Sequence, residues 1–483
     1  MTVLIPPSDT FLVDLFILLA AAIVAGEVAS RLGLVPLVGQ LLVGVVLGPT
    51  LFGSYIGLAS TTLPAELAGI QFLATFFIMF MAGLHVDPDE IARMPLKTAV
   101  SGVVIFAIPF GIGAEVVRLV LPHLLPTTDL FVALTLSITA LPVMGIMVAE
   151  FGLTGRRLGN FVMACALVNE LTAVTVFAIL LQLTQSGHSS FYAVAVAVLS
   201  VGAFLVAVLV TSRVVKAIRE SAWWRAKPDR LASLWRSREA GFAILMAMAL
   251  GAALYSQLLG LTYLVGAFYA GLLTTQAIGR AGPAPRTFVS TFSETGLLIT
   301  EPTPGKASYR AFDSIFTAMS WMFFVPLFFA LVGIEMNLRE LGGAAALGAL
   351  GALIVMAFLT KLVTGAGLTR AVLGTNGVDT TAAGFLLISR GAVELAMAVT
   401  LLGDRIFNTP LFTTVALVGL VMTLISPLGA LLAWRSTPSG RADLQERMPS
   451  LRQGRPLRMG PTIDGPPAPP VDRPRTPPPS APP

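Results

Sequence analysis

Asn169 and Glu170 stand side by side in CALVNELTAV, in the middle of an apolar run from Leu158 to Leu183. A carboxyl group at the centre of a membrane helix costs about 2.5 kcal/mol or more, so such residues face an interior cavity and mark an ion or proton path. A buried carboxylate can be satisfied by a proton or by a metal ion, and the two compete for one oxygen pair. Ser137 and Thr139, in SITALPVMGIM, add hydroxyl and backbone oxygens of the kind that suit a hard cation. Three more charges interrupt apolar runs: Lys361, and Arg390 with Glu394 in LLISRGAVELAM. A spacing of four puts Arg390 and Glu394 on one face if a helix continues through them. Glu394 then reads as the partner of Arg390 or as an additional proton site, and Lys361 as a second proton carrier or a static ion-pair partner.

The elements that must hold these groups are membrane spans. Of 483 residues 55% are hydrophobic and 12% charged, against about 25% charged in an ordinary soluble domain. Apolar runs long enough for a hydrocarbon core of about 30 Å recur along the chain. They lie near 10–31, 37–53, 67–86, 97–121, 129–150, 157–183, 190–216, 238–258, 260–277, 315–336, 344–372, 381–402 and 409–434, thirteen in all. The expected fold is therefore all-α and polytopic. Six spans, a linking span and six more would set the second half upside down against the first, the inverted-repeat plan of many transporters, with the ion site where broken helices meet. The breaks should correspond. Pro142 removes a backbone donor in the fifth span of the first half and Gly145 follows it, while Arg390, Gly391 and Glu394 interrupt the fifth span of the second.

Basic residues concentrate in cytoplasmic loops. With the N-terminus outside, 18 of them fall on the cytoplasmic loops, and only Arg339 and Arg405 on the opposite ones. Topology thus accounts for the net charge of +5, and no nucleic-acid partner is implied. Residues 213–238, with Trp223, Trp224 and Trp235, have the makings of an interfacial segment touching anionic lipid. GVVLG at 44–48 has the small-residue spacing that permits close helix contact. Glu27 with Arg31, and Glu115 with Arg118, read as solvated pairs near span ends. The transport domain is expected over 1–434, followed by a disordered, basic and Pro-rich cytoplasmic tail over 435–483. Cys165 reads as packing, and the opening apolar run as a retained span rather than a cleaved signal. No HExxH, P-loop or GxGxxG pattern is present, so neither an enzyme nor a cofactor is expected.

Seven blocks in order carry a resemblance: GQLLVGVVLGP (39–49), FMAGLHVD (80–87), TALPVM (139–144), ACALVNEL (164–171), YLVGAFYAGLL (263–273), FFVPLFFALVGIEMNL (323–338) and SRGAVELAMA (389–398). Together they resemble the bacterial monovalent cation:proton antiporters of the second cation:proton antiporter branch, over about residues 10–434. The resemblance implies a sodium/proton antiporter-like fold with two broken crossing helices. It places Asn169 and Glu170 on the family's paired positions, the second of which binds the ion. Glu stands where Asp is usual, so the cation, sodium, lithium or potassium, stays open. Lys361 falls where the family places a core lysine that pairs with the first acid, a position held here by Asn169. RGAVEL resembles the family's RGxVEL variant, with Arg390 tying the two halves. The implied activity is electroneutral exchange of one proton for one cation in the inner (plasma) membrane by a homodimer that meets through its first spans. The alternatives are a Kef-like potassium efflux pathway or a non-transporting membrane sensor of the same fold.

Overall fold

A computed structural model describes residues 10–53, 63–84, 93–185, 238–258, 261–278, 319–375 and 377–447, with a few isolated positions between 210 and 217. Every described element is helical, and the order of elements repeats. The first half runs α1 (Thr10–Arg31), α2 (Pro36–Leu47), α3 (Ala65–Leu84), α4 (Leu96–Val120), α5 (Pro126–Thr135), α6 (Leu141–Glu150) and α7 (Arg157–Gln185). The second runs α8 (Arg238–Leu258), α9 (Tyr263–Ile278), α10 (Val325–Glu335), α11 (Ala344–Leu373), α12 (Gly377–Leu386), α13 (Ala392–Gly403) and α14 (Thr409–Arg435). A π-helical turn, Ser320–Phe324, leads into α10.

Each half therefore holds three helices, one long helix, one helix broken in two, and a final long helix. The half-helices α5 and α6 have 10 residues each, and α12 and α13 have 10 and 12, too short to span singly. Among the described residues, six helices are long and apolar enough to cross a membrane, α1, α3, α4, α7, α11 and α14, and shorter apolar helices accompany them. Each expected span on described residues is thus a helix or a pair of half-helices. The expected span 190–216, and most of the interfacial segment 213–238, lie outside the described residues.

Two bundles result. Helices α1, α2, α3, α8, α9 and α10 pack chiefly on one another, and α4 to α7 together with α11 to α14 form the other bundle. The first bundle is held by backbone-to-backbone approach. A Cβ on Gly83 of α3 would lie 1.8 Å from the Phe268 carbonyl oxygen of α9, and one on Gly271 would lie 2.0 Å from the Phe80 oxygen. Gly44 of α2 and Gly333 of α10 stand in the same relation, at 2.0 Å from the Ala330 oxygen and 2.3 Å from the Leu41 oxygen. GVVLG is therefore a real contact stripe in which only glycine fits. Gly83→Ala is expected to cost about 1–3 kcal/mol by overpacking. Gly111→Ala on α4, where a Cβ meets nothing within 4 Å, should cost nothing. Denaturant unfolding in detergent compares the two.

Large apolar side chains face outward where lipid would lie, among them Leu12 and Phe16 on α1, Leu119 on α4 and Val363 on α11. Past α14, Pro438–Arg447 forms a further helix, α15, inside the region expected to be unstructured. Its Leu444 is buried and its Asp443 pairs with Arg156 at 3.5 Å. Trp434, buried at the end of α14, packs on Phe151 with ring centroids 5.1 Å apart and donates to Asp379 at 2.9 Å. Tertiary contact thus orders a helix whose own composition is polar. Residues 448–483 lie outside the described set.

Candidate functional site

Residues 136–140 and 387–391 are the two breaks, and they cross. The Ala140 N–H donates to the Ser389 carbonyl at 3.1 Å, and the Thr139 hydroxyl donates to the Leu387 carbonyl at 2.9 Å. Gly391 is the point of closest approach, since a Cβ there would sit 2.7 Å from the Ala140 Cβ. Proline at the N-terminus of α6 suits this geometry, because that position needs no donor.

Breaking a helix exposes four N–H groups at one end and four carbonyls at the other. The two ends here are satisfied by opposite chemistry. At the N-terminus of α6, Asn169 Oδ1 accepts from the Thr139 N–H at 2.7 Å and Glu170 Oε2 accepts from the Leu141 N–H at 3.0 Å. Both come from α7, where adjacent positions fall 100° apart and reach N–H groups two residues apart, one in the break and one at the first residue of α6. Asn169 Nδ2 also donates to the Ser137 carbonyl at 3.3 Å. At the C-terminus of α5, the Arg390 guanidinium donates to the carbonyls of Thr135, Leu136 and Ile138. An arginine fork is shaped for such multiple acceptance. The carbonyls at the end of α12 are met by Thr139 and by Ser426, whose hydroxyl donates to Phe385 at 2.7 Å, while Thr423 donates to the Arg390 carbonyl at 3.1 Å.

All seven expected residues lie at this crossing and are buried, Glu170 being 2% exposed and Asn169, Lys361 and Glu394 0%. The Ser137 hydroxyl donates to the Ala133 carbonyl at 2.6 Å, and its backbone carbonyl accepts from Asn169, so both kinds of oxygen expected of it are present. One detail differs from expectation. Arg390 and Glu394 do not share a continuous helix, because α13 starts at Ala392. They meet all the same, with Nε 3.7 Å from Oε2. Lys361 comes from α11 and donates to the Thr139 hydroxyl at 2.8 Å. Its electrostatic neighbours are Arg390 and Glu394.

Four oxygens at the crossing accept no hydrogen bond among the described residues: Glu170 Oε1, both oxygens of Glu394, and the buried Ser389 Oγ. Ser389 was missed by sequence reasoning, since nothing separates it from a helical serine bonded to its own backbone. Thr423 and Ser426 were missed for the same reason. A buried oxygen without a donor is what a proton or a hard cation can use.

Two crossing broken helices with a buried carboxylate at their junction define an ion-translocating membrane protein of the inverted-repeat type. The sodium/hydrogen exchanger transmembrane family profile matches residues 16–431, and the chain belongs to that family. The K(+)/H(+) antiporter 1 of Saccharomyces cerevisiae (strain ATCC 204508 / S288c) is 26% identical over 406 residues, 80% of this chain and 42% of that protein. The chain thus spans less than half of the yeast relative. The Na(+)/H(+)-K(+) antiporter GerN of Bacillus cereus is 24% identical, over 86% of this chain and 94% of GerN. In fold, the chain is similar to the sodium proton antiporter MjNhaP1 of Methanocaldococcus jannaschii, with TM-score 0.57, 16% identity, and coverage of 90% and 98% of the two chains.

Proposed function

We propose that this protein is a secondary antiporter that exchanges protons for a monovalent cation, with Glu170 as the shared site. One observation carries the reading. Glu170 is buried at the crossing, one oxygen anchored on the α6 N-terminus and the other accepting no protein donor among the described residues. The anchor fixes the carboxylate, and the second oxygen is where a proton or a cation is held. Asn169 and Thr139 orient the break, and the Ser137 carbonyl adds an oxygen in the same break. The bundle carrying both broken helices moves against the glycine-packed bundle and presents Glu170 to each side in turn. Relatives named for Na(+)/H(+)-K(+) and K(+)/H(+) exchange leave sodium, potassium and lithium as the candidate cations. The setting is the inner membrane, with the N-terminus outside, and the partner is a second copy meeting it through α1 and α2.

Competition for one carboxylate has a kinetic signature. As pH falls, the KM for the cation is expected to rise, by at most about tenfold per unit, while the rate at saturating cation holds. Flux assays in proteoliposomes across pH read both quantities, and a KM that ignores pH refutes the shared site.

Stoichiometry turns on Lys361. With Glu170 as the single carrier, exchange is electroneutral and indifferent to an imposed membrane potential. If Lys361 also loads and unloads a proton, flux follows the potential at about 2.3 kcal/mol per charge per 100 mV. Its donation to Thr139 supports the static role. Lys361→Met is therefore expected to lower stability without creating or removing potential dependence, as read by valinomycin-clamped vesicles.

A further inference from the structure

The glycine-packed bundle holds a buried acid that the exchange mechanism leaves unused. Glu335 ends α10, is 8% exposed, and accepts from Gln71 Nε2 of α3 at 2.8 Å through Oε2. No described arginine or lysine reaches it at ion-pairing distance. A neutral amide does not balance a carboxylate, and a buried charge without compensation costs several kcal/mol.

The surroundings deepen that negative field. Helices α2 and α10 lie in backbone contact through Gly44 and Gly333 and end together, with Gly48 against Ile334. Their carbonyl ends, each worth about half a negative charge, converge beside Glu335. The Thr50 hydroxyl answers the Met336 carbonyl at 3.3 Å but brings no positive charge.

The helices that carry the pair also form the seam between the bundles. Helix α13, the outgoing half of the second broken helix, packs on α3 and α10. On that seam Tyr263 of α9 has Thr400 of α13 and Thr75 of α3 among its polar neighbours, and the Thr75 hydroxyl donates to the Gln71 carbonyl at 2.7 Å. Thr400 is six residues past Glu394, about 9 Å along the helix from the crossing towards that face. A polar trail therefore leads from the crossing towards Glu335 along the closed seam.

Building on the exchange reading, we propose that Glu335 with Gln71 is a second, shallower station for the transported monovalent cation, carried by the stationary bundle on the face where α3 begins. When α13 withdraws from α3, the seam opens and the station meets the cation before Glu170 does. Its charge raises the local cation concentration on that face alone.

Exchange by the full chain is measured in vesicles of both orientations with sodium, potassium and lithium, for wild type, Glu335→Gln and Gln71→Glu. Glu335→Gln is expected to raise the KM for cation presented on the α3-start face about tenfold, a change of about 1.4 kcal/mol. The opposite face should keep its KM, and the maximal rate should hold. Gln71→Glu, which adds a carboxyl beside the first, is expected to lower the KM on the same face. If both variants exchange with wild-type KM on each face, or shift both faces equally, Glu335 only ties α3 to α10 and the station is overturned. Should Glu335→Gln fail to assemble, the Gln71→Glu result decides alone. Wild-type protein that exchanges no cation, or undiminished exchange by Glu170→Gln, overturns the antiport reading and this one with it. A normal wild type with unchanged variants overturns only the station.

Discussion

Glu170→Gln is expected to bring cation-driven proton flux down to the level of protein-free vesicles while the fold survives. The amide oxygen of glutamine can still accept from the Leu141 N–H, so the α6 N-terminus keeps its cap. What disappears is the negative charge and the oxygen that can exchange a proton for a metal ion. Removing one partner of a buried, hydrogen-bonded charge pair costs about 2–5 kcal/mol, which corresponds to a loss of about thirtyfold to several thousandfold in affinity. Glu170→Asp separates geometry from charge. Shortening the side chain by one methylene withdraws the carboxylate by about 1.5 Å, so it either leaves the Leu141 N–H or draws the break towards α7. That variant is expected to exchange, with an altered KM and an altered preference among sodium, potassium and lithium. Thermal melting alongside each flux measurement guards against a misfolded sample. Undiminished flux in a well-folded Glu170→Gln protein would remove the basis of the assignment.

The second large effect is expected in stability rather than transport. Arg390 is 1% exposed and serves as donor to three carbonyls at and beyond the end of α5, while from the second break it compensates Glu394 at the start of α13. Arg390→Met would orphan those carbonyls and leave Glu394 with Lys361 as its remaining positive neighbour. Breaking a buried ionic pair from one side costs about 3–5 kcal/mol, a large part of the stability of most folded proteins. Arg390→Lys keeps the charge but offers a point donor in place of a planar fork, and is expected to recover only part of the loss. Arg390→Met with Glu394→Leu removes both charges at once and should be more stable than Arg390→Met alone. Denaturant unfolding of the three variants tests the assignment. Near-wild-type unfolding by Arg390→Met would show that the guanidinium is not what holds the first break.

Much of this site could be seen in the sequence because charge in an apolar run is conspicuous. Glu170, Lys361, Arg390 and Glu394 needed no structure to stand out, and Pro142 announced one break. Arg390, Gly391 and Glu394 announced the second, while the close approach of Gly391 to Ala140, which joins the two breaks, left no sign in the sequence. The partners of Arg390 were illegible for a physical reason: they are backbone carbonyls, which every residue has. That the Ser137 hydroxyl folds back onto the preceding turn was not legible either, since it is a local choice that any serine can make. Gln71 and Glu335 stand 264 residues apart, and each alone resembles a polar residue at a span end. Helix α15 escaped because its polar composition gives no periodic signal, and its order comes from Leu444, Asp443 and the nearby Trp434.

That tryptophan has a mechanical consequence. By resting on Phe151, next to the end of α6, and bonding Asp379, in the first turn of α12, Trp434 bolts together one extremity of each broken helix. These contacts oppose sliding of the pieces past one another there, so under the proposed exchange the half of the molecule that carries Glu170 is expected to travel as a single carriage.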